Sequence, residues 1–501
     1  MSTAQKTLRL PSITNVKYHL VSLTGACVEY GWAAGEAVIL PHLLSPPILL
    51  SPTVAGLIFL VNPVFGICLQ PLVGDASDRC SSKCCGRRKP FIFLFGAVAV
   101  AGLIVLVFNP TWHLSRLKQI VVCFVAFGCM DLAHDILLIP GRSMLLDMVL
   151  RLLPSKDSIQ DYAQENVEAV ERKLESQADN MYTLYQLVGR FLALVIGSLD
   201  LNFKGYFNHY QSLLLSSAVF LIVACGTALI FGEDSLGEED CVDDQNQYQL
   251  LTSDEVMTNA EIDQQHNLVS QVDSETPPDS DHPVSDNVDT SVEEAGQKHY
   301  TFALILLLLV QFLGWVLLCN ACFWWTAWIG IDAIFETTGL RTALVTFAVQ
   351  TFSGLIFTVY GYHFFVRMFG VKAVWFFCEI TYCVLMILFW FVGPNEPLIL
   401  CGLMFLTGAM FSVHNTAIYS LIRDVVGHDK VAWATALCNN TLPAAQIYVS
   451  LSSGYFIGDC LISSPQCLAV GTLFLWSGSI CLGLNLIVII LDRAFKVLPN
   501  V

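Results

Sequence analysis

Long apolar runs alternate with short polar breaks along nearly the whole chain. A hydrocarbon core takes about 20 apolar residues per helix. Runs of that length lie near residues 18–41, 51–73, 90–110, 119–147, 179–200, 209–232, 299–326, 341–366, 372–393, 396–422, 432–458 and 466–491. The pattern predicts an all-α polytopic membrane protein with twelve transmembrane helices. Residues 1–17 (MSTAQKTLRLPSITNVK) are polar and lead into a full-length span, which argues against a cleavable signal peptide.

One long polar interruption divides the pattern. Residues 233–297 hold nineteen Asp and Glu and no Lys or Arg, and they are rich in Ser, Gln, Asn and Pro. That composition cannot bury a core and predicts a disordered acidic loop. It sets six spans in 1–232 against six in 298–501. The net charge of −17 therefore belongs to the loop, because the remaining chain holds 25 basic and 23 acidic residues. Within the loop, Tyr248 to Leu251 (YQLL) fits a tyrosine-based pattern for sorting adaptors, against the plainer reading of a solvated linker.

Lys and Arg predict the orientation. With the N-terminus inside, cytosolic segments collect nineteen basic residues, and the outer loops hold Arg116, Lys118, Lys204 and Arg341. Arg142 and Arg190 remain within the membrane. Both termini and the acidic loop are expected in the cytosol. Most of the eighteen cysteines fall in spans and serve as small apolar residues. Cys460 and Cys467 flank the last outer loop and are disulfide candidates. Cys80, Cys84 and Cys85 in a basic cytosolic loop suit palmitoylation or plain thiols better than zinc. Asn439 to Thr441 reads as a sequon but falls inside a span, where it is silent.

The candidate chemistry lies in MDLAHDILLIPGR (130–142). Asp131, Asp135, Leu138 and Arg142 share one helical stripe. An ionised carboxylate in hydrocarbon costs about 2.5–3.5 kcal/mol even on lenient scales, so the stripe is expected to face a watery cavity. Asp131 and Arg142 are separated by about 16 Å of helix, too far for a direct pair. Glu29 and Glu36 share a face of the first span, with Glu29 near the middle and Glu36 nearer the outer vestibule. Arg190, at mid-depth in the fifth span, has Asp131 or Asp135 as its expected partner.

Several segments carry a family resemblance. Gly74, Asp78, Arg79, Gly86, Arg87 and Arg88 lie in GLIFLVNPVFGICLQPLVGDASDRCSSKCCGRRKPFI and form a Gly-x-x-x-Asp-Arg…Gly-Arg-Arg pattern. With GWAAGEAVILP (31–41), DLAHDILLIPGRSMLLD (131–147), the LGW ending at Trp315, and Asn439 with Gln446, the chain resembles the sucrose–proton symporters. These are the glycoside–pentoside–hexuronide:cation branch of the major facilitator superfamily, with an animal-type relative in the melanosome-associated transporter. The resemblance implies that Asp131 is the proton site, that Arg142 serves coupling or substrate, and that the basic loop is a cytosolic gating latch. Asp135 and Glu29 are further proton-coupling candidates. Tyr30, Trp32, Trp315, Asn320, Trp324, Asn439 and Gln446 supply the aromatic and amide types that a sugar site uses.

Some positions depart from the family. The seventh span ends Trp325-Thr326-Ala327-Trp328-Ile329-Gly330, where the symporters carry two acids. His134 and Asp135 replace residues that are usually amides, and Ile159, Tyr162, Val167, Val170 and Leu174 suggest a cytosolic surface helix. The expected activity is proton-coupled symport of a small saccharide, with no cofactor beyond the proton and no nucleic-acid partner. A proton-independent facilitator, a carrier of another solute and a non-transporting receptor remain as alternatives. The plasma membrane is the expected location, with an endolysosomal or vesicular membrane as the alternative.

Overall fold

The computed structural model describes residues 13–44, 48–80, 86–153, 164–199, 208–233, 289–330, 337–426, 431–457, 467–495 and 498. Its helices are α1 Val16–Leu44, α2 Pro52–Gly56, α3 Val61–Arg79, α4 Lys89–Phe108, α5 Arg116–Leu150, α6 Gln164–Ser198, α7 His209–Phe231 and α8 Asp289–Gly330. They continue as α9 Thr337–Ile356, α10 Tyr362–Phe369, α11 Val371–Val392, α12 Pro397–Val426, α13 Val431–Asn439, α14 Thr441–Ile457 and α15 Cys467–Phe495. Among the described residues, ten helical spans are long and apolar enough to cross a membrane. Two more rods pack among them: α1, which carries Glu29 and Glu36, and the α13–α14 pair, interrupted by a turn at Asn440.

Three rods are irregular, and proline explains one of them. Between α2 and α3 the chain tightens into a 3₁₀ turn, Leu57–Leu60. Pro63 lacks an N–H and crowds the preceding turn, which is where the helix departs from α geometry. Asn62 sits beside this irregular turn. A π segment, Phe357–Gly361, joins α9 to α10, and the break at Asn440 joins α13 to α14. By contrast, α5 continues through Pro140 for 35 residues.

Two expectations change. The surface helix expected around Val167 to Leu174 is the first part of α6, a continuous helix of 35 residues. Val170 and Leu174 are buried there. The acidic loop was expected to reach residue 297, yet α8 already begins at Asp289.

Helices before residue 233 pack mostly on one another: α1 on α5, α6 and α7, and α4 on α5 and α7. Those after residue 289 do the same, with α9 on α12 and α11 on α12 and α15. Three seams join the two sets: α6 with α9, α1 with α8, and α2–α3 with α14. Side-chain contacts across the seams include Phe59 stacked on Phe323 at 4.1 Å, Phe191 near Phe352 at 5.8 Å, and Arg341 Nε donating to the Ser198 carbonyl at 3.0 Å. Ser198 ends α6 and Arg341 lies in the first turns of α9, so the sets are tied together at that end of the bundle.

Candidate functional site

The interior of the first set gathers four carboxyls and one guanidinium. On α1, Glu29, Trp32 and Glu36 recur at helical spacing on one face. Arg190 of α6 stands above them, with Nη1 3.8 Å from Glu29 Oε2 and the guanidinium 4.8 Å from the Trp32 ring. Close helix approach makes this possible. At Gly189, any Cβ would overlap the Ala26 carbonyl, so only glycine lets α6 lie this tightly on α1. Arg190 also reaches the second set, with Nη2 3.5 Å from Cys322 Sγ and the Phe411 ring 5.9 Å away.

The α5 aspartates complete the cluster from the opposite side. Asp135 Oδ2 accepts a 2.5 Å hydrogen bond from Asn62 Nδ2. Asp131 is 4% exposed, and its Oδ1 is buried with no hydrogen-bond partner among the described residues. Glu36 is 6% exposed and lies in the electrostatic field of Asp131, Arg190, Glu29 and Asp135. His134 is fully buried, with Nδ1 on the Met130 carbonyl at 2.8 Å, and its ring fills the space over Gly31.

The geometry revises several expectations. Arg190 pairs with Glu29 and not with Asp131 or Asp135, because α6 packs on α1 more closely than on α5. Glu36 belongs to the buried cluster and not to a vestibule. Tyr30 points about 100° away from the Glu29 face and bonds Ser216 at 2.8 Å beside Phe220, inside the first set. Arg142 is half exposed and pairs with Asp179 of α6 at 2.8 Å, a partner that sequence reasoning missed. Asn62 was missed as well; its signal was an amide inside an apolar run.

In the second set the candidates scatter. Trp315 packs edge-on against His414 at 4.8 Å. Asn320 is buried and lines a cavity of about 190 Å³ with Phe312, Tyr448 and Trp476. Gln446 is buried, whereas Asn439 is exposed at the break before α14. Trp324 is buried against Gly56 of α2, at a seam between the sets. Trp325 and Trp328 form an aromatic core with Phe389 and Phe474.

At the polar end of α5, Arg87 Nη2 and Arg88 Nε both reach Asp147 Oδ2, at 3.2 and 3.3 Å. Arg88 Nη1 also donates to Ser77 Oγ at 3.1 Å. Gly86, at φ +72°, turns the loop so that consecutive arginines converge on one carboxylate. Gly74 faces Ile139 of α5, and Arg79 pairs with Asp75 on its own exposed helix face. The side chains of Asp78 and Cys467 lie outside what is described, as do residues Cys84, Cys85 and Cys460.

Comparison with known proteins sharpens this picture. Residues 34–148 match the family described as MFS/sugar transport protein. Over 148 residues the chain is 30% identical to the sucrose transport protein SUC3 of Arabidopsis thaliana, covering 26% of this chain and 24% of that one. It is 28% identical to SUC4 of the same plant over 183 residues, 34% of this chain and 31% of the relative. These matches span about a quarter to a third of the relatives' length. Among solved structures, the nucleoside transporter NupG superposes with a TM-score of 0.62 at 12% identity, over 94% of this chain and 98% of that one. A peptide transporter POT in complex with sulfate gives 0.59 at 12% identity, over 98% of each chain.

Two packed sets of apolar helices with a buried charged centre at their seam define a polytopic membrane protein of the major facilitator fold. Over residues 34–148 the chain is similar to MFS/sugar transport proteins, and its fold is that of the solved transporters NupG and POT.

Proposed function

We propose that this protein is a proton-coupled sugar symporter in which residues 1–232 and 298–501 rock against each other around the Arg190 cluster. The observation that carries the reading is the charge imbalance at the seam: Glu29, Glu36, Asp131 and Asp135 share one interior cation, Arg190, among the described residues. Surplus negative charge in a low-dielectric interior needs a counter-charge, and a proton is the smallest one available. Because Arg190 is engaged by Glu29, Asp131 is left to take up and release that proton. One proton moving through 100 mV is worth about 2.3 kcal/mol, enough for roughly fiftyfold accumulation.

Trp32 and Arg190 offer a stacking face and hydrogen-bond donors at the seam, a combination that suits saccharide hydroxyls. The names of the plant relatives favour sucrose or another small saccharide. The Arg341–Ser198 tie closes one end of the bundle, and the distribution of Lys and Arg makes that the outer end. The arrangement is then an inward-facing state, with the Asp147 latch on the cytosolic side.

The test is uptake of labelled sucrose, glucose and maltose at about pH 5.5 and pH 7.5 in yeast lacking its own sugar carriers. Wild type is compared with Asp131→Asn. Acid-stimulated uptake that the substitution abolishes is the expected result. Uptake indifferent to both pH and substitution would make the protein a facilitator. No uptake of any sugar, with surface expression verified, would overturn the sugar reading.

A further inference from the structure

The second set holds a buried acid–imidazole pair that the charge cluster does not use. Glu379 of α11 and His414 of α12 meet at 2.5 Å between Oε1 and Nδ1, with side chains 2% and 4% exposed. Neither residue is close in sequence to the other; Glu379 lies in an apolar stretch of α11, and His414 lies beside Ser412, Asn415 and Thr416 on α12. The remaining polar atoms of the pair, Glu379 Oε2 and His414 Nε2, are buried with no hydrogen-bond partner among the described residues. So are Gln311 Oε1 and the Tyr382 hydroxyl.

An orphaned buried polar atom costs about 1–3 kcal/mol, and each member of this pair carries one. Orphans on both members leave an empty donor–acceptor position on each side of the bond. With one shared proton the pair is neutral overall. A second proton would leave an imidazolium beside a carboxylic acid, whose carbonyl oxygen still accepts but without its charge, so the bond between the two helices weakens.

The surroundings connect this pair to the central cluster. Trp315 of α8 packs its ring edge-on to His414, and Gly314 of the same helix faces both His414 and Glu379 Oε2. Seven residues further along, about 10 Å away on nearly the same face, Cys322 meets Arg190. Thus α8 touches both sites. The titratable side chains sharing the interior are Cys378, Tyr382 and Cys383 of α11 and Cys481 of α15, with Cys319 and Cys322 of α8 reached through Tyr382. All are neutral groups in the acid-to-neutral range. The π segment between α9 and α10 presents the hydroxyl of Thr358 to Ser412.

We infer that Glu379 and His414 form a second proton-binding site, which loads a proton during the cycle and weakens the α11–α12 contact when it does so. This rests on the symporter reading for its role in transport, but not for its existence. The Trp315–His414 contact supplies a readout that needs no substrate, since an imidazolium quenches an adjacent indole.

The experiment is a pH titration of tryptophan fluorescence on the purified full-length protein in nanodiscs, for wild type, Trp315→Phe, His414→Gln, Glu379→Gln and Glu379→Asp. Each variant is first checked for a monodisperse profile. Wild type should lose fluorescence on acidification in a one-proton step that is absent from Trp315→Phe and His414→Gln. In Glu379→Gln the step should move by about one pH unit or more, with Glu379→Asp lying closer to wild type. In proteoliposomes, the ratio of acid-driven sucrose accumulation to sucrose counterflow should fall at least about tenfold in both Gln variants, one decade being about 1.4 kcal/mol.

Absence of any His414-dependent step between about pH 4 and pH 9 would overturn the site. A normal fluorescence step with an unchanged accumulation ratio would overturn its part in coupling. Wild type that carries none of sucrose, glucose and maltose would sink the symporter reading, while the titration would still decide whether the pair binds protons.

Discussion

Arg190 and Glu29 face each other across the contact of α6 with α1, guanidinium to carboxylate at 3.8 Å, with the Trp32 ring 4.8 Å below the cation. A planar guanidinium stacked on an indole is not equivalent to an ammonium at the same place, and a desolvated contact of this kind is worth up to about 2 kcal/mol. Arg190→Lys should therefore keep the charge balance yet lose about tenfold or more in transport rate, measured by counterflow at saturating and low sucrose. Trp32→Phe should retain most activity, and Trp32→Ala should behave like the lysine variant.

The position before Arg190 should be as sensitive as Arg190 itself. Gly189→Ala forces a methyl group into the Ala26 carbonyl. Overpacking of this kind costs about 1–3 kcal/mol. Thermal unfolding followed by fluorescence should show a clear drop in midpoint, whereas Gly226→Ala, which meets nothing within 4 Å, should leave it unchanged.

Asp147 carries two arginines, one of them buried, so its loss should be felt more than that of an exposed acid. Asp147→Asn should destabilise the protein by about 1–3 kcal/mol, because Arg88 keeps Ser77 but loses its carboxylate. Asp75→Asn breaks an exposed i,i+4 pair with Arg79 and should cost no more than about 0.5 kcal/mol. Paired melting curves of the two variants check the contrast.

Arg142 and Asp179 form a half-exposed pair between α5 and α6. If their role is the pair itself, Arg142→Asp combined with Asp179→Arg should recover transport that either single reversal loses. Recovery below about a tenth of wild type would show that Arg142 acts on something other than Asp179.

Lys17 supplies a pH control. Its bond to Glu233, at 2.7 Å, holds the ammonium above its ordinary range. A raised lysine contributes stability that is fully present below about pH 10.4 and lost as pH rises through the raised value. The difference in melting midpoint between wild type and Lys17→Met should be small and constant from about pH 6 to pH 9, as expected for an exposed pair worth about 0.2–1 kcal/mol. A difference that changes across that window would contradict the assignment.

Periodic apolar runs sufficed to read the all-α membrane fold and nearly all of its rods, because crossing hydrocarbon requires each segment to satisfy its own backbone. The same logic singled out Glu29, Asp131, Asp135, Arg142 and Arg190, since charge in such a run is costly wherever it falls. The resemblance to the family pattern singled out Arg87 and Arg88 together with Gly86.

Partners were a different matter, because a pairing across helices depends on how closely the helices approach and at what rotation. Arg190 meets Glu29 because Gly189 lets α6 settle on α1; Tyr30 leaves the cluster because it is one residue, and so about 100°, away from Glu29. Asn62 reaches Asp135 from an irregular turn, and Asp147 gathers both arginines from 60 and 59 residues away. Glu379 and His414, 35 residues apart, meet only because α11 packs on α12. Hydrophobicity along the chain determined which segments enter the membrane; only the packing of those segments decided which of their charges meet.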